Sequence, residues 1–165
     1  MSHPPIRLIL FSLLPGLLLF ACVAPTVTPE PVVPSAQMEQ QLFARINRAR
    51  TANGLSPLVW SDTLLPVARG QSSDMANNRY LGHLDSKGRD LAQRFDVYRV
   101  TGWREIGENV ARSMGYDEND RAMVDGWLKS PPHRANIMKK EYQSTAIGVA
   151  RGEDGFYYAT EVFMR

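Results

Sequence analysis

Residues 145–164 read TAIGVARGEDGFYYATEVFM, and this stretch decides the fold class. Its two halves, residues 145–151 and 156–164, are rich in β-branched and aromatic side chains. The GEDG between them is a turn sequence, so the stretch predicts a β-hairpin. Both faces of the second strand carry large apolar side chains, which predicts that other elements cover the hairpin on both sides.

The chain before the hairpin has helical periodicity. A first helix is predicted from residue 35 to the stop signal Asn53-Gly54. A second is predicted from the cap Ser61 to about Tyr80, with Pro66 removing one backbone bond near its start. The apolar positions expected inside these two helices are Met38, Leu42, Ile46, Ala49, Leu64, Leu65, Ala68 and Met75.

Shorter helices are predicted at 90–95, at 117–129 and at 133–139. The pair Pro131 and Pro132 separates the last two, since proline ends one helix and suits the entry of another. The inward side chains of the 117–129 helix are expected to be Met123, Trp127 and Leu128. Helices first and a hairpin last predict an α+β fold in three layers, an α-β-α sandwich.

The first 22 residues have the composition of an export signal. Arg7 precedes an apolar run at 8–20, which is too short to span a bilayer, because a span needs about 20 apolar residues. The run ends at the only cysteine, as Leu19-Phe20-Ala21-Cys22, and resembles the bacterial lipobox. We predict a lipoprotein-type signal peptide at 1–21 and lipidation of Cys22. The alternative is an ordinary signal peptide, an incidental cysteine and a secreted protein.

A proline-rich segment follows the cysteine. Four prolines between residues 23 and 34 favour extended backbone, so residues 22–35 are predicted to be a tether that holds a domain at 36–165 off a membrane surface. If Cys22 carries lipid, no thiol remains for a disulfide. The domain would then be stable through its core alone.

Length and charge narrow the function classes. The chain has 165 residues, which suits one domain. Its net charge is +2, from 19 basic and 17 acidic residues, so there is no large positive field to attract a nucleic acid. We expect no nucleic-acid partner.

Three segments hold polar side chains that core packing does not explain: Gly82-His83, residues 107–110 (GENV) and residues 130–134 (SPPHR). Each has an ordinary explanation. His83 could contact carbonyls at a helix end, His133 could bind turn backbone, and Glu108 could pair with an arginine such as Arg134. The separations of 25 residues between them match no local metal-binding pattern.

The ordered set GENVA, Trp127 and SPPHRANIM, with LGH before it and IGVA in the hairpin, resembles the CAP superfamily. This superfamily contains cysteine-rich secretory proteins, antigen 5 and pathogenesis-related proteins. The chain is most similar to its disulfide-free bacterial branch of SCP-like extracellular domains, from about Gln37 to the end. The resemblance implies an α-β-α sandwich with a cleft that gathers two histidines and acidic residues.

By position, the resemblance implies that His83 and His133 match the two histidines of the family's cleft and that Glu108 matches the acid of its GEN motif. Many members of the family add a second glutamate after the first histidine. Here no glutamate lies between His83 and Glu105, which leaves Asp85 or Asp90 as the fourth member.

Two imidazoles suit zinc or another divalent metal, with water or substrate in the remaining positions. Glu108 could then accept a proton from bound water or orient a histidine.

The resemblance leaves open whether the protein is an enzyme. One function is a ligand-binding module at the cell envelope, for lipid, polysaccharide or peptidoglycan, and we favour it. The other is a metal-assisted hydrolase or peptidase of the envelope. A third interpretation makes the histidines parts of a structural scaffold.

Overall fold

The protein, represented by a computed structural model, is described for residues 35–114 and 119–165. Helices and strands are mixed along this part of the chain. Their order is α1 (Ser35–Ala52), β1 (Val59–Trp60), α2 (Leu65–Asn78), α3 (Leu91–Val97), β2 (Ile106–Ser113), α4 (Asn119–Lys129), α5 (Pro131–Ile137), β3 (Ser144–Arg151) and β4 (Tyr157–Met164).

The four strands form one sheet in the order β1-β3-β4-β2. The predicted hairpin is β3 and β4, which pair antiparallel over their full length. β2 pairs antiparallel with the other side of β4, and the short β1 runs parallel to β3. β4 is therefore a central strand, and its residues are buried from Tyr157 to Phe163, as the apolar character of both faces predicts.

Helices cover both faces of the sheet and complete the predicted three layers. One face packs side chains of α1, α4 and α5 against Ile147 and Phe163. The other packs α2 and α3 against Ala146 and Val162. At Gly148 the backbone of α2 lies so close to β3 that a Cβ atom would overlap Ala68 and Arg69, so only glycine fits there.

The helix boundaries correct two details of the sequence interpretation. α2 begins at Leu65 rather than at Ser61, which places Pro66 in the first turn. An N–H in that turn has no helical partner, so the proline costs no hydrogen bond. On α1 the buried stripe is Met38, Leu42, Ile46 and Arg50, while Ala49 is only half-buried.

Pro131 and Pro132 have the predicted double role, because α4 ends at Lys129 and α5 starts at Pro131. The predicted start of the α4 helix at Asp117 lies outside the described residues.

The main difference from the sequence interpretation is β2. Residues 106–113 carry the GENVA motif and form an eight-residue strand that the sequence did not predict. The consecutive Gly107, Glu108 and Asn109 lack the apolar alternation of a half-buried strand. Tertiary contacts with β4 provide the missing stabilisation.

The predicted signal peptide at 1–21, the lipidated Cys22 and nearly all of the tether at 22–35 lie outside the described residues. Among the helices at 35–114 and 119–165, none combines the length and the apolar character needed to cross a membrane.

Candidate functional site

β2 is an edge strand, and side chains donate to two of its carbonyls. The Trp127 indole N–H donates to the carbonyl of Val110 at 3.0 Å, and the Asn136 amide donates to that of Glu108 at 3.1 Å. The open edge is thereby attached to α4 and α5. GENVA, Trp127 and SPPHRANIM, three separate segments of the sequence, meet along this one edge.

Glu108 points from β2 toward the α2 and α3 layer and is buried. Its Oε2 accepts a hydrogen bond from Arg94 Nη2 at 2.6 Å, and its Oε1 lies 2.9 Å from His83 Nδ1. The arginine that pairs with Glu108 is therefore Arg94, and the suggested pairing with Arg134 is wrong. Both carboxylate oxygens are engaged, one by a buried guanidinium and one by an imidazole.

His133 reaches the same place from α5. The rings of His83 and His133 have their centroids 6.5 Å apart, at an interplanar angle of 47°. Asn109 fixes the backbone of α5, because its amide donates to the carbonyl of His133 at 3.2 Å. The structure thus brings together the three residues at 83, 108 and 133, each from a different element.

The two imidazoles have opposite pKa shifts. The hydrogen bond with Glu108 raises the pKa of His83 above its ordinary value, against a smaller opposing effect of desolvation. Desolvation lowers the pKa of His133, and the nearby His83 lowers it further. His83 therefore keeps its proton to a higher pH than His133 does.

The two aspartates considered as a fourth member have other partners. Asp90 is the N-cap of α3 and accepts from the backbone of Gln93. Asp85 accepts from the backbone N–H groups of Lys87 and Arg89 and from the Arg89 side chain. Their contacts are those of a helix cap and a turn.

The donor set allows a test of whether a divalent ion fits. Within residues 35–114 and 119–165, no group of three or more His, Cys, Asp or Glu side chains is arranged to hold a metal. Two imidazoles are available, and around a tetrahedral ion with metal–nitrogen distances of about 2.1 Å their ring centres would be roughly 5–5.5 Å apart. The observed separation of 6.5 Å is longer, so the two rings would have to approach each other before they could share an ion. In such an open site with two protein ligands, Glu108 would orient His83 through Nδ1.

An apolar groove of about 350 Å³ runs from His133 along β2 and α4. Leu81, Val110, Met123 and Trp127 form much of its wall. Since the side chain of His83 is 58% exposed, the imidazole pair is accessible from solvent.

The sequence profile described as "CAP: Cysteine-rich secretory protein family" matches residues 43–163, well over half of the chain. The chain belongs to the CAP family. Among the described residues, the match includes every helix and strand except parts of α1 and β4.

Relatives of this CAP domain occur in several bacteria. The chain is 34% identical over 114 residues to YlbC, an uncharacterized membrane protein of Bacillus subtilis (strain 168). That alignment covers 68% of the chain and 32% of YlbC, so the chain spans about a third of this curated relative.

Solved structures show the same fold. An extracellular protein containing an SCP domain from Bacillus anthracis is 29% identical, with a TM-score of 0.69, over 83% of this chain and 45% of that one. An outer surface protein of Borrelia burgdorferi is 20% identical, with a TM-score of 0.72, over 81% of this chain and 96% of that one. Both support the α+β sandwich.

Arg94, the buried partner of Glu108, was not predicted from the sequence. It lies 11 residues after His83 on a short helix, where a lone arginine resembles any exposed basic residue. Its burial, at 2% exposure, is visible only once α3 is packed against the sheet.

Proposed function

We propose that this CAP domain is exported and held at the cell envelope, where its cleft binds a ligand at His83 and His133 with the help of a divalent metal. The observation that carries the proposal is the pair of accessible imidazoles 6.5 Å apart, one of them oriented by Glu108. A bound divalent ion would supply a Lewis-acidic centre that attracts an anionic or carbonyl oxygen of the ligand.

Binding is favoured over hydrolysis by the state of Glu108. A general base has to reach the water that it deprotonates. Here Glu108 is buried, with Arg94 on one carboxylate oxygen and His83 between the other and solvent. Glu108 therefore acts as a positioning residue for His83 in this proposal, and metal-assisted hydrolysis of envelope material is the second candidate.

Calorimetric titration of the full-length protein with Zn²⁺ tests the metal site. We expect a weak, saturable site that His83→Ala and His133→Ala each abolish. Arg134→Ala is the matched control, because Arg134 is exposed and adjacent to His133, and binding should be unchanged. Equal binding by wild type and both histidine variants would refute the proposal.

Incubation with peptidoglycan and with peptide libraries separates the binding module from the hydrolase, since only a hydrolase yields new products.

The envelope location is supported by the predicted lipobox and by the descriptions of two relatives, one as a membrane protein and one as extracellular. We expect Cys22→Ser to release the protein into the soluble fraction or to block its processing. Cell fractionation and mass spectrometry measure both effects. Unchanged membrane association together with unchanged mass would contradict lipid anchoring.

A further inference from the structure

The loop that carries His83 has little backbone structure of its own. It connects α2 to α3, and within the described part of the chain no backbone–backbone hydrogen bond involves residues 81–84. Leu81 and Leu84 are 47% and 55% exposed, so burial of their side chains does not hold the segment either. Side chains of the neighbouring helices must therefore fix the position of His83.

Buried side chains bind three consecutive carbonyls of this loop. Gln71 of α2 is fully buried, and its Nε2 donates to the carbonyl of Gly82 at 2.8 Å. The same nitrogen makes a longer contact of 3.4 Å with the carbonyl of Leu84. Arg94 of α3 donates to the carbonyl between them, that of His83, at 3.2 Å. One amide group thus binds the backbone on both sides of His83 to α2.

The orientation of the Gln71 amide is fixed by a second contact. Its Nε2 lies 3.3 Å from the hydroxyl oxygen of Tyr80, and that hydroxyl donates to Asp74 at 2.6 Å. Because the hydroxyl proton is used in the bond with Asp74, the oxygen of Tyr80 is an acceptor toward Gln71, which requires the amide nitrogen on this side. Asp74 also accepts from the backbone N–H and the hydroxyl of Ser86, so the same network holds the chain just beyond the loop.

Packing alone does not explain an amide at residue 71. The Oε1 of Gln71 is buried without a hydrogen-bond partner among the described residues. A buried acceptor without a partner costs free energy, and an apolar side chain of similar length, such as methionine, has no such cost. The amide is therefore explained by its Nε2, which holds the loop carbonyls around His83.

From these contacts we propose that Gln71 is a positioning residue for the imidazole pair. Through the carbonyls on either side of His83 it fixes the loop, so that the imidazole faces Glu108 and His133. It acts through the backbone of the loop and not on a ligand. Its effect on metal binding rests on the proposed function of the imidazole pair, whereas its effect on the placement of His83 needs no ligand.

Nitrogen NMR of the imidazoles in the metal-free full-length protein, at one fixed pH, tests the placement of His83. Gln71→Met keeps the length of the side chain and removes the donor. We expect the nitrogen resonances of His83 to shift toward those of a free imidazole, because Nδ1 is no longer held 2.9 Å from Glu108. The resonances of His133, which is carried by α5, should stay in place. Unchanged His83 resonances in Gln71→Met would overturn the proposal.

Ser72→Ala is the matched control. Ser72 is the next residue of α2 and is also fully buried, but its hydroxyl is hydrogen-bonded to Gly148 and Thr160 in the sheet. The substitution should lower the melting temperature and leave the His83 resonances unchanged. An equal shift of those resonances in Ser72→Ala and Gln71→Met would make the effect a general loss of stability and refute the proposal.

Tyr80→Phe decides the question if Gln71→Met does not fold. It removes, at a half-buried side chain, the hydroxyl that links Gln71 to Asp74. The His83 resonances should shift in the same direction as expected for Gln71→Met, but by less. An unfolded Gln71→Met together with unchanged His83 resonances in Tyr80→Phe would overturn the proposal.

Calorimetric titration with Zn²⁺ separates this proposal from that of the metal site. In Gln71→Met the affinity should fall about tenfold, the lower end of the loss found when outer contacts of metal ligands are removed. Unchanged affinity in Gln71→Met, with saturable binding by wild type, would refute a role of Gln71 in binding. If wild type binds no Zn²⁺, the metal site is wrong, and the metal-free spectra still decide whether Gln71 positions His83.

Discussion

Glu108 of β2 pairs with Val162 of β4, and Glu161 of β4 pairs with Asn109 of β2. The two glutamates are therefore offset by one residue in the sheet, and their side chains face opposite layers. Both are buried. Glu108 is ion-paired with Arg94 and hydrogen-bonded to His83. Glu161 has weaker partners: a long contact of 3.4 Å from Thr145 to Oε1 and a side-chain hydrogen bond with Asn109, while its Oε2 has no partner within the described residues.

The difference shows what a buried carboxylate needs in order to serve a site. Burial raises the pKa of Glu161 to about 8, because the opposing effects of Thr145, Arg50 and Asn109 are too small to offset desolvation. Glu161 is therefore a neutral acid in the core at neutral pH. Glu108 has a guanidinium and an imidazole as partners and opens toward solvent through His83.

The largest expected effect is the loss of the partner of Glu108. Arg94→Met should lower the free energy of unfolding by roughly 3–5 kcal/mol, since it removes the buried cation that pairs with Glu108 and leaves that buried carboxylate only the largely exposed His83. Adding Glu108→Gln should restore part of that loss. Urea denaturation measures both changes.

The control is Arg79→Met, which breaks an ion pair with Glu153 between side chains that are 61% and 91% exposed. Its cost should be about 0–1 kcal/mol. Equal costs for Arg94→Met and Arg79→Met would show that Glu108 does not depend on its buried partner.

The second effect is the pH dependence that Glu161 introduces. Its folded pKa of about 8 lies above the ordinary value of 4.5, so the unfolded chain releases the proton first. The stability due to neutral Glu161 is therefore lost as the pH rises from about 4.5 to about 8. Arg50 of α1 is a charged group that acts on Glu161, and Thr145 of β3 and Asn109 of β2 are its polar neighbours.

Glu161→Gln should remove that loss. The difference in the free energy of unfolding between variant and wild type should grow by on the order of 4 kcal/mol across this pH range. Urea denaturation at several pH values measures it. Glu153→Gln, at a side chain that is 91% exposed, should give curves parallel to wild type. If the Glu161→Gln curve is also parallel, Glu161 is ionised in the folded protein.

The smallest effect separates the two histidines. His83→Ala removes a hydrogen bond to Glu108 and should cost at most about 1 kcal/mol, because the imidazole is largely exposed. His133→Ala removes an imidazole with no hydrogen bond to Glu108 and should cost less. Thermal unfolding of both variants checks the order. A larger loss for His133→Ala would mean that its ring has a structural role.

The sequence predicted the regular elements well, for physical reasons that apply locally. The period of Met38, Leu42 and Ile46 requires a helix with one buried face, and the two apolar faces of residues 156–164 require a covered strand. Such patterns depend on neighbours along the chain.

The rest depends on contacts between distant segments. β2 is a strand because β4, Trp127 and Asn136 satisfy its backbone, and nothing in the letters GEN shows those partners. Glu108 was found through family resemblance, but Arg94 was not, because its burial results from the packing of α3. The predicted signal peptide and Cys22 stay predictions.

The most direct test of the account follows the side-chain nitrogens of His83 and His133 by NMR while Zn²⁺ is added to the full-length protein. Resonances of both imidazoles should shift together, at the same ratio of zinc to protein. The Nδ1 proton of His83 should stay hydrogen-bonded to Glu108. Shifts at one imidazole alone, or at neither, would contradict a shared site.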